Sequence, residues 1–187
     1  MRTVDHLGIS YAQIDQPKSE ATLGLFDRLE RRKLLIIIVT VAIGFCARAY
    51  RLDAAGFAED EANKIFAARA YEQGDFTANA EHPMVMKMLC FASTHVASAW
   101  NRAVGQGINL RISEETALRL PNAAFGALTV IPLLLLTTGL LGFRVGLVTS
   151  LLWALGLDAI WFNRTVKEDT LLVFFMLWGF YLYYRAK

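Results

Sequence analysis

Three short polar groups interrupt an apolar chain, and each holds side chains able to do chemistry. Glu59, Asp60 and Glu61 stand together in FAEDEANKIF, and a carboxylate so placed can take a proton from an attacking hydroxyl or amine. In Glu81-His82-Pro83-Met84-Val85-Met86-Lys87 the proline fixes a turn, and helical continuation puts Lys87 one turn beyond it. His82 and Lys87 then offer donors to an anion such as a lipid phosphate. The third group is NRTVKED, with Arg164, Lys167, Glu168 and Asp169, a dense set of charges for one short connection. Each group also has a plainer reading. Acids favour a helix start, a single histidine is usually packed or solvated, and a charged loop between spans is usually a hydrated cap with snorkelling ends. Glu81 and His82 give two ligands with no third at metal-binding spacing, so no metal site is indicated. Asn163-Arg164-Thr165 fits a glycosylation sequon but lies too tightly between apolar runs to be modified easily.

The elements that must hold these groups read as membrane spans. Of 187 residues, 55% are hydrophobic and 19% charged, which points to a multi-span membrane protein. A net charge of +2 without a basic, aromatic-laced face argues against nucleic acid as a partner. Cys46 and Cys90 lack CxxC spacing and read as packing residues. Residues 1–33 read as a retained cytoplasmic tail, disordered at first and helical from Leu23 to Lys33. Its Arg28, Arg31, Arg32 and Lys33 set the start of the first span in the cytoplasm. Apolar runs at 34–50, 117–141, 145–162 and 170–184 are the expected spans, with Pro132 as a kink and Gly142-Phe143-Arg144 as a turn. Residues 83–100 are apolar enough to cross as well but carry Lys87 and His95. Residue patterns alone leave four or five spans open, and with four all three polar groups share the external face.

The motifs DEANKIFAARAYEQGDF, HPMVMK, ALRLPNAAFGALTVIPLLLL and NRTVKEDTLLVFF together resemble the amino-terminal part of integral-membrane glycosyltransferases of the protein O-mannosyltransferase and aminoarabinose-transferase type. Those enzymes have the C-type glycosyltransferase (GT-C) fold. Their pattern has Asp-Glu in the first external loop, then His-Pro-Pro-Leu-Gly-Lys, then Arg followed five residues later by Asp. Asp60-Glu61, His82-Pro83, Lys87, Arg164 and Asp169 match, whereas Met84, Val85 and Met86 depart from Pro-Leu-Gly. The resemblance covers about residues 34–187 and favours four spans, because in that family the segment after His-Pro belongs to juxtamembrane helices. The expected fold is therefore all-α and polytopic, with about four transmembrane helices and an external loop 51–116 holding the juxtamembrane helices. Family enzymes run longer, so the chain reads as a truncated, amino-terminal part of such a module.

The resemblance implies inverting transfer of a sugar from a polyprenyl-phosphate donor, on the external face of the plasma or inner membrane, to a protein, lipid or glycan acceptor. It gives Asp60 the role of general base, with Glu61 as runner-up. Asp169 orients Arg164 or the acceptor, and Glu168 is secondary. Lys87 and Arg164 meet the lipid phosphate, and His82 is a donor contact. No cofactor is expected, and a divalent metal is left open. Residues 83–100 are expected to lie along the interface, with Met84, Met88 and Leu89 toward lipid. The alternatives are a non-catalytic lipid-sugar-binding or assembly subunit, and a transporter, for which Asp158 is the sole acid at apparent depth.

Overall fold

The computed structural model describes the backbone of residues 20–105 and 110–187 and the side chains of residues 31–105 and 110–187. The expected disordered part of the tail lies outside the described residues. All regular structure among the described residues is helical: α1 (Glu20–Ala49), α2 (Glu59–Glu72), α3 (Met84–Val104), α4 (Glu114–Leu128), α5 (Val130–Leu141), α6 (Phe143–Leu155), α7 (Leu157–Asn163) and α8 (Asp169–Ala186). The chain divides into two compact units, Met1–Leu35 and Ile36–Lys187, and the polar groups lie in the second.

α4 and α5 together form one helix of 28 residues, Glu114–Leu141, long and apolar enough to cross a membrane. Its start is set locally. Ser113 is the N-cap, its Oγ accepting the Thr116 N–H at 3.2 Å, and Glu114 and Glu115 complement the helix dipole. Pro121 inside α4 has no N–H for the Ala117 carbonyl, and Ser93 Oγ donates to that carbonyl instead at 2.6 Å. Pro132 likewise leaves the Leu128 carbonyl without its helical donor, and the helix is interrupted at Thr129, between α4 and α5.

Gly142, at φ +92°, makes the tight turn into α6, a conformation that favours glycine. The run expected to return across the membrane over 145–162 is not one continuous helix. It forms α6 and α7, bent by 56° at Gly156, whose backbone is extended there. The reason lies in α1: the Arg48 guanidinium donates to the carbonyls of Trp153 (2.9 Å) and Ala154 (2.9 Å), capping the end of α6. α1 and α8 carry exposed apolar side chains, among them Ile38, Val39, Ile43, Leu172, Phe175 and Phe180.

The core that positions the polar groups joins α2, α3, α4 and α8 through Ile65, Ala68, Met86, Cys90, Leu118 and Leu171, with Val166 from the α7–α8 turn. Burial pushes the Cys90 thiol up to about 12, as suits a packing group, while Cys46 is exposed. α3 agrees in extent with the helix expected over 83–100. Met84 and Met88 are exposed, but Leu89 packs against this core and so does not face lipid.

Candidate functional site

α2 begins at Glu59 because Glu61, its third residue, reaches back to accept the Ala58 N–H at 2.9 Å, half of a capping box. The same carboxylate accepts Arg119 Nε on Oε1 at 2.9 Å, Arg119 Nη2 on Oε2 at 2.7 Å and the Val166 N–H on Oε1 at 3.0 Å. Glu61 is fully buried and Arg119 is 4% exposed. Arg119 spends its remaining donors on the carbonyls of Leu52 (2.6 Å), Ala55 (2.8 Å) and Gly56 (2.8 Å), and stacks on the Phe57 ring. One buried ion pair thus ties the exit of α1, the start of α2, helix α4 and the α7–α8 turn to one another. Burial pushes the Glu61 carboxyl up, but the donors from Arg119, Ala58 and Val166 outweigh it, and its pKa lies below the ordinary value.

Asp60, one residue earlier, points the other way. Its side chain is 65% exposed and meets Lys167 Nζ at 3.0 Å. The hydrogen bond and charge of Lys167 hold the Asp60 carboxyl below its usual range, and Asp60 in turn raises Lys167. Lys64, one helical turn beyond Asp60, is buried and lies 3.3 Å from Glu168 Oε1, which is also 3.2 Å from His82 Nδ1. No donor is aligned on that oxygen for a hydrogen bond, so Glu168 is held by charge proximity.

Two cavities flank the α7–α8 turn. One, of about 590 Å³, is lined by His82, Pro83, Met86, Glu168, Asp169 and Phe175 among others. The other, of about 630 Å³, includes Gly56, Ala58, Glu61, Arg119, Trp161 and Arg164. His82 and Asp169 therefore share one cavity with Glu168, while Arg164 lines the second.

Four expected placements change. Arg164 donates to the Arg51 carbonyl at 2.9 Å and lines a different cavity from Asp169, so Asp169 does not orient it in this arrangement. Lys87 is 2% exposed and its ammonium donates to the carbonyls of Ala78 and Asn79, which ties down the loop before α3 rather than facing the Asp60 surface. Glu61, the runner-up base, has no face free to receive a proton. Asp158, expected at depth, is instead exposed in the first turn of α7. Among the described residues, no group of three or more His, Cys, Asp or Glu side chains is placed to hold a metal ion.

Lys64, Arg119 and Asn122 did not stand out as site residues. The available signal was polarity inside ALRLPNAAF: an arginine and an asparagine in an apolar run must find partners or stay out of the membrane. Lys64 offered no signal beyond lying one turn from Asp60.

The model of the dolichyl-phosphate-mannose-protein mannosyltransferase family matches residues 38–187. No curated protein and no solved structure matches the chain.

Proposed function

We propose that this chain, which belongs to the dolichyl-phosphate-mannose-protein mannosyltransferase family, transfers a sugar from a polyprenyl-phosphate donor on the external face of the membrane, with inversion and with Asp60 as the base. The family's members are integral membrane glycosyltransferases using such donors. The observation that carries the assignment within the Asp-Glu pair is the contrast in access: Glu61 accepts four hydrogen bonds and is buried, whereas Asp60 is open and ionised.

In this reading an acceptor hydroxyl or amine attacks the anomeric carbon while Asp60 takes its proton. The bond from that carbon to the phosphate oxygen breaks, and the polyprenyl phosphate leaves with the electron pair. A carboxylate kept ionised by Lys167 is a weak base toward a free hydroxyl. The proton therefore moves late, once carbon–oxygen bond formation has made the nucleophile acidic. Arg164, at the rim of a largely apolar cavity, meets the charge growing on the phosphate, and the apolar walls suit a prenyl chain. His82 and Asp169 contact donor or acceptor from the other cavity. Lys87 acts through the loop it holds. Four spans, with Asp60, Lys87 and Arg164 external and Lys33 and Arg144 cytoplasmic, place the reaction on the outer surface.

The test is mannose transfer from polyprenyl-phosphate mannose by the reconstituted protein, with product stereochemistry read by NMR. Cysteines at 33, 60, 85, 144 and 164 are labelled from each side of sealed vesicles, the exposed Val85 standing in for the buried Lys87 on the same helix. Inverted product lost in Asp60→Asn, with 60, 85 and 164 labelled together from outside, is the expected result. Donor binding with no transfer by the wild type would favour the non-catalytic subunit, and labelling of 85 and 164 from opposite sides would overturn the topology.

A further inference from the structure

The α7–α8 turn carries Lys167 to Asp60 and Glu168 to Lys64 and His82, yet it has no helical or sheet ladder to hold its backbone. A string of buried polar side chains substitutes for one. Asn122 Nδ2, on α4, donates to the carbonyls of Thr165 and Lys167, the latter at 2.9 Å, and lies 3.4 Å from Thr170 Oγ1. Asn163 Nδ2 donates to the same Thr170 hydroxyl at 3.0 Å, and Asn163 Oδ1 accepts Arg48 Nε at 3.0 Å. Asn122 and Arg48 are 0% exposed, Asn163 1% and Thr170 2%. Gly126, one turn after Asn122, leaves the space that the Asn163 side chain fills, since a Cβ there would collide with it.

Polar groups buried among apolar helices are costly unless each bond is made, and a charge at that depth asks for a functional explanation. Arg48 has no carboxylate partner in the string; carbonyls and the Asn163 amide take its donors. What all four side chains share is that the string ends on the backbone of Thr165 and Lys167. We infer that Asn122, backed by Thr170, Asn163 and Arg48, is a positioning residue of the transfer reaction: it fixes the α7–α8 turn so that Lys167 is delivered to Asp60. This rests on Asp60 being the base.

The Asn122 amide oxygen has no partner, so its contribution runs through the NH₂. Asn122→Asp keeps shape but replaces that donor with an oxygen facing two carbonyls, which drives the turn away. Thr170→Val keeps shape and removes the shared hydroxyl, and serves as the second variant if Asn122→Asp does not fold.

Cross-linking between positions 60 and 167 separates positioning from catalysis. Cysteines placed at 60 and 167 in the full chain, with Cys46→Ser, are joined by a short bifunctional maleimide in proteoliposomes, a reading that needs no transfer. Cross-linking is expected to be fast on the otherwise unaltered background and about tenfold slower with Asn122→Asp or Thr170→Val. In the protein with its native Asp60 and Lys167, the same two variants lower kcat about tenfold with donor KM unchanged. They move the acid limb of the pH profile upward as Lys167→Met does, and add nothing further to Lys167→Met. Unchanged cross-linking, a raised KM at constant kcat, or losses that multiply with Lys167→Met would overturn the inference. If wild-type protein transfers nothing, the catalytic reading fails while the cross-linking result still decides the positioning.

Discussion

Adjacent acids in one motif live in opposite environments. Glu61 sits at the centre of a buried knot in which its carboxylate accepts four hydrogen bonds, and Asp60 sits on an open rim with one lysine beside it. The difference follows from helix geometry: consecutive positions on α2 are rotated by about 100°, so when one side chain faces α4 its neighbour faces the turn. A motif of two acids thus divides into a structural member and an available one, and only the available one can exchange a proton with a substrate.

Four substitutions test that division. The largest effect is expected at Glu61. Glu61→Gln leaves Arg119 buried without its counter-charge, a change that typically costs about 3–5 kcal/mol, and should lower the melting temperature and expression of the protein. Because the folded Glu61 pKa is below its unfolded value, the stability it contributes is present above the ordinary glutamate range and lost as pH falls through the folded value. The Gln variant should lack that acid-side loss, and a melting curve as steep in acid as the wild type's would break the comparison.

Asp60→Asn should leave melting unchanged and lower transfer by about two orders of magnitude. A variant with near wild-type turnover would remove Asp60 from the chemistry. Lys167→Met is expected to have a smaller effect, felt in maximal rate as for Asn122→Asp and also in its pH dependence. With the lysine gone the Asp60 pKa rises toward the usual carboxylate value, so the acid limb of the rate profile moves to higher pH. A limb that moves down, or does not move, would show that Lys167 does not tune the base. Glu59→Gln, on the exposed first residue of α2, is the smallest: transfer and melting should stay within measurement error.

The sequence made the broad division legible. Apolar runs gave the helices of α4–α5 and α8, Gly142 gave the turn, and the acids gave the start of α2. It also singled out Asp60, His82, Arg164 and Asp169 as residues of the polar surface. Hidden from it were relations that depend on distance in space. Nothing in FAEDE says that Glu61 turns inward, because that depends on Arg119, a residue inside what reads as a membrane span. Lys87 looked available because a charged side chain in a mainly apolar helix suggests a ligand, yet two loop carbonyls claim its ammonium first. The bend at Gly156 was equally hidden, since an apolar run containing one glycine reads as continuous until a guanidinium from another helix takes its carbonyls.

The knot around Glu61 also imposes an order of events during biogenesis. Its two long-range partners lie 58 and 105 residues further along the chain. At roughly 5–20 residues per second of synthesis, the last of them emerges roughly 5–20 seconds after Glu61 does. Until α4 has formed, the nascent loop holds an uncompensated acid and α2 lacks its anchor. The candidate site is therefore among the last parts of this region to mature, and a slow arrival of α4 would present quality-control machinery with an open, charged loop.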